Sequence, residues 1–537
     1  MAQLLLVLIG ALLVTAFARS RNIAAPLLLV LVGLLVSLIP GPVDVRVDPE
    51  LLLTVVLPPL LYSAALQSSY LNFRAYFGPI ANHGVLQVIA TSLVIGWVAH
   101  LVFPQLPPSS ALVLGAVVSP PDAVTASAIG RRLHLPRGIT TVFGGESLIN
   151  DAAALTVYRM AVAAVVGSTP TVAEGVQVFV LAVLVGLGVG LALGVLAQSA
   201  RTRIPDVGVA TVLSILVPFT AYLLAEQLQG SGVLAVISAG LYLGHHQPRA
   251  RAAGRLQEQT VWNAINLLLE SLVFSLIGLQ LHSLILGIHA SGRDLGLLLG
   301  GCCAVLLAVM LVRAGWMFGA SVLPGLSRLI HGRRDRRRIW RRTLVLSWTG
   351  MRGVVTLAAA GAIPYTTETG APFPERELIQ LVAFVVTVGT VLLQGTTLPW
   401  LIRVLGVSDP EQAARDDRAE AQARRTATNA ALAYLEELRP QDLGMPEKRS
   451  RAVIDRMKAL VEHQGMAASE QVGRTPDERE TSARDTFVDL RRKLLEVERR
   501  TMADERDAGR IDDEVLRRVL RELDLQEAAL DSSWRNR

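Results

Sequence analysis

Two mainly apolar stretches carry groups that hydrocarbon penalises: Glu146, Ser147, Asn150, Asp151 and Arg159 in GITTVFGGESLINDAAALTVYRMAVAAVVG (Gly138 to Gly167), and Asp122 in ALVLGAVVSPPDAVTASAIG. Ser147 lies four residues before Asp151 and Glu146 four before Asn150, so each pair shares a face if the stretch is helical. Taking a carboxylate out of water penalises its charged form. Such a group holds either a proton or a small cation, and competition at one site couples two gradients. The donors around it are hard oxygens: the Asp151 carboxylate, the Asn150 amide, the Ser147 hydroxyl, Asp122 and freed backbone carbonyls. They suit sodium or lithium, and without Cys or His they do not suit a soft transition metal. The structural alternative is a polar contact satisfied between packed helices, but ionisable groups inside a membrane usually carry function.

The element holding these groups is long and apolar enough to cross a bilayer, and at 1.5 Å per residue Asp151 falls roughly 20 Å from Gly138, near mid-depth. The whole chain has the same character. Of 537 residues 51% are hydrophobic and 18% charged, with a mean hydropathy of +0.44. Soluble domains of that length do not have this composition. Apolar segments fall at about 3–18, 23–40, 50–66, 84–103, 110–130, 138–166, 171–199, 207–228, 231–244, 260–281, 295–323, 341–363 and 377–405, about thirteen spanning helices. The first could pass for a signal peptide, but Arg19 and Arg21 and an immediate second apolar run favour a retained helix. After residue 408 the chain becomes densely charged, which marks a membrane domain over 1–408 and a soluble helical tail over 409–537. The tail is open to two readings, a regulatory or dimer-stabilising domain and a merely solvated segment.

The net charge of +6 does not point to nucleic acid. Its arginines sit in short loops between apolar runs: Arg19 and Arg21, Arg74, Arg131, Arg132 and Arg137, Arg201 and Arg203, Arg249, Arg251 and Arg255, and the cluster from Arg328 to Arg342. The alternate loops hold only Arg46, Arg293 and Arg376 beside several carboxylates. The positive-inside rule then places the N-terminus outside and the tail in the cytoplasm, an arrangement that needs an odd number of helices. Cys302 and Cys303 are read as small packing residues.

Two segments are interrupted. Pro120 and Pro121 deprive the carbonyls of Ala116 and Val117 of their partners, and Asp122 then opens a second half-helix whose positive end favours its charge. A capped proline kink is the plainer reading. Gly350 and Gly353 bracket Met351 and Arg352 in the other. If segments 1–6 and 8–13 are inverted repeats, these are the matched fifth and twelfth, and breaks at equivalent positions point to a transporter's midplane site. Glu226, Glu270 and Arg313 are the remaining charges inside apolar runs, and Glu270 and Arg313 are read as structural partners rather than ion ligands. Arg352 has three readings: neutralising Glu146, neutralising Glu270, or binding carbonyls of the break.

The motif GESLINDAAALTVYR resembles the sixth-helix signature of the monovalent cation/proton antiporters, in the branch of bacterial sodium/proton exchangers and their animal counterparts. LPPLLYSAAL, VVSPPDAV, ESLVFSLIGLQL and GMRGVVTLA are similar to further blocks in the same order, together covering nearly all of residues 1–405. The resemblance implies an all-α polytopic fold with two crossing broken helices, and a homodimer whose mobile core moves like an elevator. It implies that Asp151 binds the exchanged ion beside Asn150 and Ser147, that Glu146 pairs with Arg352, and that an Asn-Asp pair marks electroneutral exchange without a cofactor. The transported ion is then Na⁺, with K⁺ or Li⁺ as alternatives, exchanged for H⁺ across the cell membrane. Two departures stand out: Pro121, Asp122 and Ala123 occupy the place of the relatives' Thr-Asp-Pro, and Ser63 stands where some have a carboxylate. A passive cation channel is disfavoured because no filter-like loop is present. A membrane hydrolase using Asp122 and Asp151 lacks any substrate-side motif.

Overall fold

The computed structural model describes residues 2–21, 23–39, 49–122, 135–167, 172–247, 252–280, 295–322, 336–407, 410–438, 446–469 and 494–498, with single residues at 501, 523 and 526. These residues are helical, and the described part holds no sheet, only an isolated bridge between Thr366 and Pro372. The chain divides into two compact units, Met1–Asp409 and Pro410–Arg537.

The first unit contains helices α1 (Ala2–Ser20), α2 (Ala25–Ser37), α3 (Leu57–Gln67), α4 (Gln87–Val102), α5 (Pro108–Val118), α6 (Arg137–Val166), α7 (Val172–Arg203), α8 (Val207–Gln227), α9 (Gly232–His245), α10 (Ala252–Leu279), α11 (Leu295–Val322), α12 (Arg336–Trp348), α13 (Val354–Gly361) and α14 (Arg376–Leu405). A π-helical turn precedes each of α3 and α4, at Leu52–Val56 and Asn82–Leu86. Among the described residues eight helices are long and apolar enough to span a bilayer, and shorter apolar ones lie among them. Every stretch expected to be helical carries helix among the described residues, and the protein is an all-α polytopic membrane protein.

Packing sorts the unit into two helix groups. In one, α4 lies along α5, and α6, α11, α13 and α14 close around them. Its apolar core runs through Ile95, Leu114, Val117, Ala161, Val305, Val309, Val382 and Val386. In the other, α9 is sandwiched by α3, α7 and α8 around Tyr62, Ala221, Ala235, Ala239 and Trp262, while α10 runs beside α2. Large apolar residues of α1 and α7, such as Leu6, Leu13, Leu184 and Leu196, remain exposed. That belongs to a protein whose outer surface faces hydrocarbon.

Both interrupted segments are broken as the prolines and glycines predict. α5 stops at Val118, ahead of Pro120 and Pro121, because neither proline can donate to the preceding turn. The second half-helix expected after Asp122 lies outside the described residues, as does Ala123. The twelfth segment is split into α12 and α13 by non-helical backbone from Gly350 to Gly353. In the tail unit, α15 (Pro410–Glu437) packs against α16 (Glu447–Ser469).

Candidate functional site

The two breaks meet. The Asp122 N–H donates to the Met351 carbonyl at 2.6 Å. In return the Arg352 guanidinium donates from Nε to the Val118 carbonyl at 2.8 Å, from Nη2 to the Ser119 carbonyl at 3.2 Å, and from Nη1 to the Gly350 carbonyl. Its own backbone N–H is taken by Thr390 Oγ1 of α14 at 2.9 Å. One buried cation thus satisfies the carbonyls that the two breaks release, the condition for irregular backbone at membrane depth. The expected loss at Ala116 is repaired locally, since its carbonyl accepts from the Ser119 hydroxyl at 2.9 Å.

α6 lies across this crossing. Asn150 is fully buried and its Nδ2 donates to the Pro121 carbonyl at 2.6 Å, tying α6 to the first break. One helical position on, Asp151 is 6% exposed and faces a cavity of about 490 Å³. Pro120, Pro121, Asp122, Ser147, Gly353 and Thr356 line it from one helix group, and Leu57, Leu61 and Gln67 of α3 from the other. The volume is in the range of a ligand pocket. Asp122 and Asp151 line this same cavity. Its carboxylate sits against the start of α13: a Cβ placed on Gly353 would lie 2.6 Å from the Asp122 carboxylate carbon. The positive end of α13 therefore stabilises the Asp122 charge.

The expected pairing of Glu146 with Arg352 is corrected. Glu146, 1% exposed, accepts two hydrogen bonds from Arg313 of α11, at 2.5 and 3.2 Å, and Arg313 also donates to the Leu346 carbonyl at 3.4 Å. Arg352 takes the third of its sequence readings and binds carbonyls. The physical reason is geometry: Arg352 sits inside a break where several orphan acceptors converge, whereas Arg313 reaches Glu146 from a continuous helix. Glu270 is half-buried on α10 and does not line the cavity. Ser63, at the place of the relatives' carboxylate, accepts from Gln67 Nε2 at 3.2 Å and from Asn266 Nδ2. Thr356 and Thr390 were not legible as site residues, because a threonine in an apolar helix is ordinarily back-bonded to the preceding turn.

A family model described as sodium/hydrogen exchanger, transmembrane, matches residues 4–404. The chain belongs to the sodium/hydrogen exchanger family. Within that family, an uncharacterised Na⁺/H⁺ exchanger of Mycobacterium tuberculosis is 34% identical over 523 residues, 96% of this chain and 93% of the relative, so the likeness runs on into the tail. A sodium, potassium, lithium and rubidium/H⁺ antiporter of Bacillus pumilus is 32% identical over 393 residues, 71% of this chain and 58% of that one. The solved structure of a sodium proton antiporter from Methanocaldococcus jannaschii matches 75% of this chain and 98% of its own, with a TM-score of 0.57 at 19% identity. At that identity the likeness is one of fold. This exchanger is therefore a member of a family of cation/proton antiporters built on the same helical scaffold.

Proposed function

We propose that the chain exchanges Na⁺ for H⁺ across the cell membrane, one for one, with both ions competing for the Asp151 carboxylate. The observation that carries this reading is the placement of Asp151: nearly buried, at the crossing of two broken helices, and open to a cavity of about 490 Å³ to whose wall Asp122, Ser147 and Thr356 also contribute oxygens. Stoichiometry follows from the charges around it. Glu146 is neutralised by Arg313, and Asp122 is held at the start of α13, so one carboxylate is left to change its occupant. A site carrying one proton or one monovalent cation has the same charge on both strokes, and the cycle moves no net charge.

The cavity gives direction. It runs from Asp151 past Phe143 and Thr140 of α6 toward Gln67 and Ser68 at the end of α3. Those ends precede Arg74 and follow Arg137, in the arginine-rich loops assigned to the cytoplasm. The chain is thus read in an inward-open state, with its N-terminus outside and its tail in the cytoplasm. Alternating access then requires one helix group to move against the other, bringing Asp151 to the outer side, and a homodimer would anchor the static group. The ions named for the Bacillus relative favour K⁺ and Li⁺ as further substrates.

Asp151→Asn keeps the shape and removes the titrating charge. Everted vesicles carrying this variant should show no cation-dependent proton movement, while wild-type exchange in proteoliposomes should not respond to an imposed potential. Retained exchange in the Asn variant rejects Asp151 as the site; a potential-dependent rate rejects the one-for-one stoichiometry.

A further inference from the structure

Pro121 stands before Asp122, where the family resemblance leads one to expect a threonine in many relatives, and the oxygens around the first break are mostly engaged already. The carbonyls of Val118 and Ser119 accept from Arg352, and that of Pro121 accepts from Asn150. One hydroxyl in the cavity wall differs. Thr356 is 1% exposed, lines the same cavity as Asp151, and its Oγ1 is buried without a hydrogen-bond partner.

Its position in the chain explains why. A threonine inside a helix ordinarily donates to the carbonyl three or four residues back, as Thr387 and Thr156 do at 2.8 Å. α13 begins at Val354, after Gly353, so the turn that would offer Thr356 such a carbonyl is the break itself. A buried hydroxyl left unpaired at this depth is costly, and native structures keep such groups where a ligand or water satisfies them. The neighbouring wall contributes Asp151, Ser147 and Asp122, groups that attract a hard monovalent cation rather than an anion.

We propose that Thr356 Oγ1 is a ligand of the transported cation, supplied by the second broken helix in place of the hydroxyl that the first one lacks. The inference rests on the reading of Asp151 as the exchanged site. The hydroxyl oxygen donates a lone pair to the cation when it is bound. When the proton replaces the cation, the same hydroxyl is free to pair with the Asp151 carboxyl group. Thr356 thereby favours the cation-loaded state and sets which cation fits, since its reach is fixed by the first turn of α13.

The test compares the full chain in proteoliposomes as wild type, Thr356→Val, Thr356→Ser and Asp151→Asn, measuring the apparent KM for Na⁺ and Li⁺ at alkaline pH, where proton competition is least. Thermal stabilisation of the detergent-solubilised protein by added NaCl gives a binding readout independent of transport. Thr356→Val, of nearly the same shape, should raise the Na⁺ KM about tenfold with little loss of maximal rate, the size expected for one lost polar contact. It should weaken NaCl stabilisation to match, and Thr356→Ser should stay near wild type on both. An unchanged KM in the Val variant, or Ser shifted as far as Val, overturns the ligand role and leaves Thr356 a packing residue. If Val fails to fold, Thr356→Ala takes its place: a raised Na⁺ KM with weakened NaCl stabilisation, where Ser stays near wild type, supports the hydroxyl ligand, and an unchanged KM overturns it. Loss of exchange in Asp151→Asn alongside an unshifted Val variant rejects only the Thr356 role, whereas exchange retained in Asp151→Asn rejects the underlying site.

Discussion

A charge buried in the membrane domain has to be matched by another, and the match between Glu146 and Arg313 decides how far the site can tolerate change. Both side chains are almost wholly enclosed, at 1% exposure, and the pair is bidentate. Forming it from water yields little net stability, but removing one partner strands the other, at a cost of about 3–5 kcal/mol. Arg313→Met should therefore lower the melting temperature of the solubilised protein sharply, and Glu146→Gln added to it should recover part of that loss. Equal stability of Arg313→Met and wild type would mean that the pair is not formed. Arg352 is different in kind, because its partners are carbonyls of two chain breaks. That distinction was out of reach of the sequence. Two arginines and two glutamates at similar depth, Arg313, Arg352, Glu146 and Glu270, admit several pairings, and spacing along one helix says nothing about which neighbour crosses it.

The elements are arranged so that two defects cancel. Each broken helix exposes backbone groups that a continuous helix would hide, and each supplies donors to the other at the crossing. Gly353 is the point where the fit leaves no room for a side chain, because the Asp122 carboxylate occupies the volume of a Cβ. Gly353→Ala should displace Asp122 from the start of α13 and reduce exchange by at least an order of magnitude, an overpacking cost of about 1–3 kcal/mol. Transport assayed against protein content would show it, and full activity in the alanine variant would move Asp122 away from this contact. This level of organisation was readable from the chain. Paired prolines and paired glycines at matched places in two halves are strong signals, since each removes a backbone bond wherever it stands. Helix starts beside such a breaker were legible to within a residue or so, as with α6 starting at Arg137 beside Pro136, whereas α10 begins at Ala252, well ahead of the apolar run expected from 260. What stayed hidden was α13's first turn, where an ordinary threonine loses its local acceptor.

At the scale of the molecule, the proposed alternating access asks what keeps the side assigned to the outside closed while the cavity opens at the other end. The described residues offer one polar bond between the two helix groups near the far end of α6: Arg159 Nη2 donates to Glu226 Oε2 of α8 at 2.6 Å. Glu226 is also fixed from its own side, accepting the Gly232 N–H at 3.2 Å. Arg159 is 54% exposed and Glu226 28%, so the pair is worth no more than about 1 kcal/mol. That is small for a fold but not for a conformational balance, in which 1 kcal/mol changes the ratio of two states about fivefold. In the proposed cycle a closure of this strength can open on each turnover, whereas a much stronger bond would hold the proposed inward-open state. Arg159→Gln should therefore raise the population open to the outside without lowering stability. Val162, beside Arg159 on the wall of the outer pocket, gives the reporter. In a background with Cys302 and Cys303 replaced, Val162→Cys should react up to about fivefold faster with an impermeant maleimide added outside when Arg159 is also changed. Removing Glu226 in addition should bring no further increase, because the bond has already gone. Labelling that is indifferent to Arg159, or that rises again with Glu226 removed, would show that closure rests on the apolar contacts between the groups and not on this ion pair.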